Sequence, residues 1–127
     1  MPTKGSMTPS EFNNWLLSYR ATRQSLSDSV VVLKEELFNV PSEKQTGINL
    51  QIGLQNDKIN RLDSERILFY AGSVTMEPPS AQVVQQLQGF ATQADQLIAQ
   101  ANATVQAIAL ADKAVALYNS AVQPGAA

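Results

Sequence analysis

The sequence contains no cysteine and no histidine among its 127 residues. Without these side chains the chain has no thiolate nucleophile, no imidazole general base, and no usual ligands for a structural zinc ion or a haem. We therefore predict no catalytic residues, no cofactor and no metal site, and we expect that the protein is not an enzyme.

Long apolar segments are absent from the sequence as well. A membrane-spanning helix needs about 20 apolar residues, and no run approaches that length. The first ten residues, MPTKGSMTPS, lack the apolar core of a cleavable signal peptide. We expect a soluble protein that is either cytoplasmic or exported without a cleavable signal.

Charge is scarce and unevenly distributed. Charged residues make up 16% of the chain, the formal net charge is −2, and of the nine Lys and Arg residues only Lys113 follows Arg66. The earlier basic residues are interleaved with acidic ones and form no basic stripe. Nucleic acid is therefore not expected as a partner.

The carboxylates show no catalytic pattern. Glu35 and Glu36 are adjacent, so on a helix they point about 100° apart. Arg61 lies four residues from both Asp57 and Glu65, the spacing of weak surface ion pairs. An enzyme that relies on carboxylates alone is thus the remaining enzymatic alternative, and we do not favour it.

The first predicted helix follows a flexible N-terminal arm, residues 1–7, whose Gly5-Ser6-Met7 stretch is also typical of a cloning remnant. Thr8 and Glu11 have the spacing of a capping box, with Pro9 at the first helical position. Apolar residues then recur every seven positions until Pro41, which predicts a helix over about 9–39. These residues are Phe12, Tyr19, Leu26, Leu33 and Val40, and we expect Phe12, Trp15 and Tyr19 in the core.

The second predicted helix covers about 43–71. Its apolar residues repeat at intervals of three and four, and Gly72-Ser73 and Pro78-Pro79 mark the connection that follows. Two helices joined by a turn this short form an antiparallel hairpin. Gly47 and Gly53 fall inside this helix and are expected to permit close approach of a neighbouring helix.

The third predicted helix is long and rich in alanine and glutamine. It runs over about 81–122 and would extend for about 63 Å, whereas a compact chain of this length has a radius of gyration of about 14 Å. We therefore predict an all-α, elongated three-helix bundle in a single domain, residues 8–123, with a flexible C-terminus at 124–127. A break of the third helix at Gly89 is the competing interpretation.

The third helix has two distinct faces. One is apolar throughout and should pack on the hairpin; it includes Val84, Leu87, Ile98, Val105 and Ile108. The opposite face is rich in glutamine in its first half and becomes apolar near residue 103. This second apolar face consists of Ala103, Ala107, Leu110, Ala114, Leu117 and Ala121. We expect it to contact another helix; the alternative is that alanine, a strong helix former, occupies an ordinary surface.

These patterns favour a non-enzymatic helical assembly or protein-interaction protein that acts through the apolar outer face of its C-terminal helix. Its partner would be a second copy of itself, in a homo-oligomer, or another helical protein, in a setting such as a phage or secretion-type assembly. The alternative is a membrane-active helical protein or a component of a secreted toxin. Asp112-Lys113 in the apolar segment argues against that alternative.

Overall fold

The computed structural model describes residues 2–127, which form four helices and one small pair of strands. The helices are α1 (Pro9–Leu37), α2 (Ser42–Tyr70), α3 (Ala81–Leu97) and α4 (Thr104–Val122), and the strands are β1 (Val74–Thr75) and β2 (Gly125–Ala126). The all-α class is confirmed. The predicted number of three helices is wrong, because the third predicted helix is divided in two.

Local signals set the start of α1 and the end of α2. The Thr8 side chain accepts a hydrogen bond from the Glu11 backbone N–H at 3.1 Å, and the Glu11 side chain accepts one from the Thr8 N–H at 2.8 Å. At the end of α2, Gly72 adopts a positive φ of 80° and the Ser73 N–H reaches the Leu68 carbonyl at 2.9 Å. This is a Schellman motif, which glycine forms without steric penalty.

The third predicted helix is interrupted over residues 98–103 and not at Gly89, which lies inside α3. The chain turns where Asn102 adopts a left-handed conformation with φ 57°. Asparagine tolerates this region better than most residues with a side chain. The turn folds α4 back along α3, so both halves pack on α1. An unbroken helix would leave much of its apolar surface in water, which favours the break.

Helix α1 is the centre of the molecule and packs against each of the other three helices. Its buried face includes four small polar residues among larger apolar ones: Ser18, Thr22, Ser25 and Ser29 are each fully buried. The hydroxyl of Thr22 donates to the Ser18 carbonyl at 2.8 Å, and that of Ser29 donates to the Leu26 carbonyl at 2.6 Å. The Ser25 hydroxyl donates to the Ala21 carbonyl at 3.2 Å, whereas the Ser18 hydroxyl has no hydrogen-bond partner. Small side chains on this face let neighbouring helices approach closely.

The main core is aromatic and lies near the N-terminal end of α1. Trp15 is completely buried, and its ring centroid lies 5.5 Å from that of Tyr19 and 4.7 Å from that of Phe69. Phe12 is partly buried and packs against the same cluster. The prediction that Phe12, Trp15 and Tyr19 belong to the core is confirmed.

Within the segments 1–7 and 124–127, which we expected to be flexible, described residues form backbone hydrogen bonds with the connection between α2 and α3. The Met76 N–H donates to the Pro2 carbonyl at 2.9 Å, and residues Lys4–Ser6 form a short 3-10 turn. Strand β2 pairs antiparallel with β1, with Val74 opposite Ala126. The backbone N–H and C=O groups of these segments lie outside the helices and need hydrogen-bond partners, which the strand pairing supplies. Met1, the first residue of the predicted arm, lies outside the described residues.

Candidate protein-interaction groove

The residues predicted to form an outer apolar face on the C-terminal helix are divided between the interior and the surface. Ala103, Ala107 and Ala114 are at most 3% exposed and lie in the intramolecular core. Leu110, Leu117 and Ala121 are half-buried. The orientation expected for the three alanines therefore has to be corrected, because they pack inside the chain itself.

The three alanines are buried because α4 is a separate helix that begins after the turn. Residues 98–103 are not helical, so the rotational phase of α3 does not continue into α4. Val105, expected inside, is 76% exposed, and Asp112 and Asn119 are also exposed. The buried positions of α4 and of the residue before it are instead Ala103, Ala107, Ala111, Ala114, Tyr118 and Val122.

Leu110 and Leu117 line a groove that runs between α3 and α4. Phe90 and Leu97 line it from the α3 side, and all four side chains are half-buried. The groove consists of two adjoining depressions of about 360 and 620 Å³, both of which are lined by Gln93 and Lys113. Partly exposed leucine and phenylalanine side chains in a concave surface are typical of a site that binds an apolar ligand or helix.

The rest of the groove lining consists of five glutamines, Lys113 and the small residues Gly89, Ala109 and Ala116, so it is almost uncharged. Lys113 is the single charged residue among the lining residues. The glutamines around it are Gln86, Gln93, Gln96, Gln100 and Gln106. Glutamine side chains can both donate and accept hydrogen bonds, so this lining suits a partner surface that is polar without being strongly charged.

A cluster of polar side chains, separate from the groove, lies between α1 and α2. The Arg23 Nε lies 3.0 Å from Asp63 Oδ1, and the Tyr19 hydroxyl donates to the same carboxylate. Burial alone would raise the pKa of Asp63. The hydrogen bonds from Arg23 and Tyr19 lower this pKa by more than burial raises it, so the pKa of Asp63 is below its usual value. Burial and the neighbouring Asp63 raise the pKa of Tyr19. A carboxylate held ionised by an arginine joins two helices and is poorly suited to proton transfer.

Asp28 is the carboxylate whose surroundings are least favourable for its charge. It is 4% exposed, one of its oxygens accepts from Gln24 Nε2 at 2.8 Å, and its Oδ2 has no hydrogen-bond partner. Burial raises the pKa of Asp28, and the charge of Asp95 raises it further. Across residues 2–127, no group of three acidic side chains is arranged to hold a metal ion.

Two features of the surface were not predicted from the sequence. Phe90 and Leu97 were not among the predicted interaction residues, whereas both pack against the core and also form one wall of the groove. No role was predicted for leucines on the outward side of α2, where Leu50 is 63% exposed and Leu68 is 45% exposed. Their signal was available in the sequence, since apolar residues spaced three or four apart on the face opposite the core form a second stripe.

The length and hydropathy of the helices also bear on the membrane alternative. Within the described part of the chain, none of the helices combines the length and the apolar character that crossing a bilayer requires. Comparisons of the chain with protein-family models, with curated proteins and with solved structures found no match.

Proposed function

We propose that this protein is a non-enzymatic helical interaction protein whose α3–α4 groove binds an amphipathic helix of a partner protein. The observation that carries this proposal is the set of half-buried apolar side chains along a groove open to solvent: Phe90, Leu97, Leu110 and Leu117. An amphipathic helix that lies in an apolar groove is a recurrent mode of protein recognition.

The length of the groove agrees with a short helical ligand. Its α3 wall extends from Gln86 to Leu97, about 17 Å at 1.5 Å per residue. A partner helix of about three turns would cover this length and would present apolar residues at positions i, i+3 or i+4, and i+7.

The polar residues of the groove indicate the rest of the partner's chemistry. Lys113 lines both depressions, so an acidic residue near the middle of the partner helix would complement it. The glutamine walls favour uncharged polar residues on either side of the apolar ridge. Because only one charge is involved, association should depend weakly on salt concentration.

Gly89 supports close approach of a partner from outside. A glycine inside a helix costs about 1 kcal/mol relative to alanine. A Cβ atom added at Gly89 would meet no atom within 4 Å, so packing within the chain does not require a glycine there. Gly89 lines the groove, where the missing side chain leaves room for a bound helix.

The test combines site-specific photo-cross-linking with a matched pair of substitutions. A photoreactive residue at Leu110 should capture a helical partner in cells that express the protein, and the same group at Val105 should not. Val105 is the control because it lies on the same helix, is 76% exposed and does not line the groove.

The captured protein is then purified and its binding is measured by calorimetry. The double change Leu110→Lys with Leu117→Lys should weaken binding by at least about tenfold, because lysine would have to lose its water in the groove without a partner charge. Val105→Lys should leave the affinity unchanged. Equal binding by the wild type and the double variant, with unchanged helicity by circular dichroism, would overturn the proposed function.

A further inference from the structure

The outward side of α2 carries a row of residues with coiled-coil spacing. Its members are separated alternately by four and three positions. They are Leu50, Leu54, Asp57, Arg61, Ser64 and Leu68. Every member is exposed, and the leucines at 50, 54 and 68 are 63%, 44% and 45% exposed. We call this set the outer row.

Packing within the chain does not account for the outer row. The buried residues of α2, which are Gln55, Leu62 and Phe69, lie on a different side of the helix, about 100–140° from the centre of the row at about 100° per residue. Gly53 lies beside the row in an uninterrupted helix, and a Cβ atom there would meet no atom within 4 Å. The expected role of Gly53 in close helix approach is thus not fulfilled inside the chain, although the residue costs about 1 kcal/mol of helix stability.

We propose that the outer row pairs with the same row of a second copy of this chain, in an antiparallel register with two-fold symmetry. If Asp57 lies opposite Arg61 of the second copy, the helical repeat places Leu50 opposite Leu68 and Leu54 opposite Ser64. Two-fold symmetry makes each of these pairs occur twice. The row is therefore complementary to itself in charge, and Leu50 of each copy pairs with Leu68 of the other.

The alternation of the row agrees with this register. In an antiparallel pair of helices, a residue at heptad position a faces a residue at position d. Each proposed pair joins an a position to a d position. A parallel pair in register would place Asp57 against Asp57 and Arg61 against Arg61. The repulsion between these like charges favours the antiparallel arrangement.

The flanks of the row are compatible with the same register. Gly53 would face Ile67 of the second copy, a residue that is 62% exposed, so the missing side chain at 53 gives Ile67 space. Lys58 would lie near Lys58 of the second copy. Its Nζ is 2.7 Å from Asp112 Oδ1, and this ion pair neutralises the lysine charge. Arg61 is paired with Glu65 at 3.7 Å while 84% exposed, a weak contact that leaves it free to reach Asp57 of the second copy.

This pairing goes beyond the proposed function and does not depend on it. The outer row lies on α2, whereas the groove residues lie on α3, on α4 and in the turn between them. The row extends over about 27 Å at 1.5 Å per residue, which gives a small interface, and we expect a dimer of micromolar affinity.

Charge reversal tests the register directly by sedimentation velocity. Asp57→Arg and Arg61→Asp each place like charges at both Asp57–Arg61 contacts, so each variant should dimerise at least about tenfold more weakly. An equimolar mixture of the two variants should dimerise as well as the wild type, because both contacts are again between opposite charges. The double variant Asp57→Arg with Arg61→Asp should also recover. Arg20→Asp, an exposed reversal on α1, is the control and should change nothing.

Introduced cysteines provide a second test, since the sequence has no cysteine of its own. Leu54→Cys mixed with Ser64→Cys should form a disulfide-linked dimer under mild oxidation. Either variant alone should not, because its two cysteines would be about 15 Å apart along the helix pair and a disulfide requires about 7 Å or less.

The possible outcomes separate this inference from the proposed function. Loss of the dimer in both single charge variants, with recovery in their mixture, supports the antiparallel pair. A wild type that stays monomeric at high concentration overturns it. A dimer that resists both charge reversals but is lost in the Leu110→Lys, Leu117→Lys variant also overturns it, while it assigns self-association to the groove.

Discussion

The indole Nε1 of Trp15 lies 3.1 Å from the hydroxyl oxygen of Tyr118, so a hydrogen bond joins α1 to α4 inside the core. The same N–H also points to the Met76 sulfur at 2.8 Å. All three residues are at most 2% exposed. Because a buried polar group without a partner is costly, this contact ties the two terminal helices and the α2–α3 connection to one arrangement.

The first prediction concerns this hydrogen bond. Tyr118→Phe removes the hydroxyl and leaves the Trp15 N–H with the sulfur alone, so the free energy of unfolding should fall by about 1 kcal/mol. Tyr70→Phe removes a hydroxyl from a tyrosine that is 44% exposed and should change stability by less than about 0.5 kcal/mol. Urea denaturation followed by circular dichroism measures both; equal stability of the two variants would contradict the role of the Tyr118 hydroxyl.

The second prediction concerns the pH dependence contributed by Asp28. Burial raises the pKa of this carboxyl above its usual 3.8, so the folded protein binds the proton more tightly than the unfolded chain does. The stability from this group is complete below pH 3.8 and is lost as the pH rises through the folded pKa. Asp28→Asn, which stays uncharged, should therefore melt at a higher temperature than the wild type at pH 7, and the difference should shrink towards pH 4. A variant less stable than the wild type at pH 7 would show that the buried charge is better satisfied than the structure indicates.

Asp63 leads to the opposite prediction. The pKa of Asp63 is lowered, because hydrogen bonds from Arg23 and Tyr19 outweigh the effect of burial. Its stabilisation is present above the usual pKa of 3.8 and is lost as the pH falls through the folded pKa. Asp63→Asn should cost about 1 kcal/mol at pH 7 and nothing at acid pH below both pKa values. Thermal melts of the wild type and the variant across pH 2–7 check this; a cost that did not depend on pH would contradict the assigned charge.

The turn between α3 and α4 gives the fourth prediction. Asn102 has a positive φ of 57°, which valine adopts only with strain. Asn102→Val should lower the free energy of unfolding by about 1–2 kcal/mol, whereas Asn102→Gly should leave it unchanged or raise it. Chemical denaturation of both variants is the measurement. If valine were tolerated as well as glycine, α3 and α4 would not be separated by this conformation.

The start of α1 and the end of α2 were predictable because their causes are local. The capping box of Thr8 and Glu11 and the left-handed Gly72 each depend on residues within a few positions along the chain. The same holds for the core position of Trp15, which follows from its place on the apolar side of α1. Short-range hydrogen bonds and side-chain periodicity depend on residues a few positions apart along the chain, so the sequence by itself determines them.

Tertiary packing decided the break after Leu97 and the orientation of α4. No proline or glycine marks residues 98–103, and an alanine-rich segment favours a continuous helix when considered alone. The chain turns there because both halves can then bury apolar surface on α1, whose small residues at 18, 22, 25 and 29 accept close neighbours. The non-helical turn also removes the rotational relationship between Val84 and Val105, so only the folded chain places Ala107 and Ala114 inside and leaves Leu110 and Leu117 along the groove.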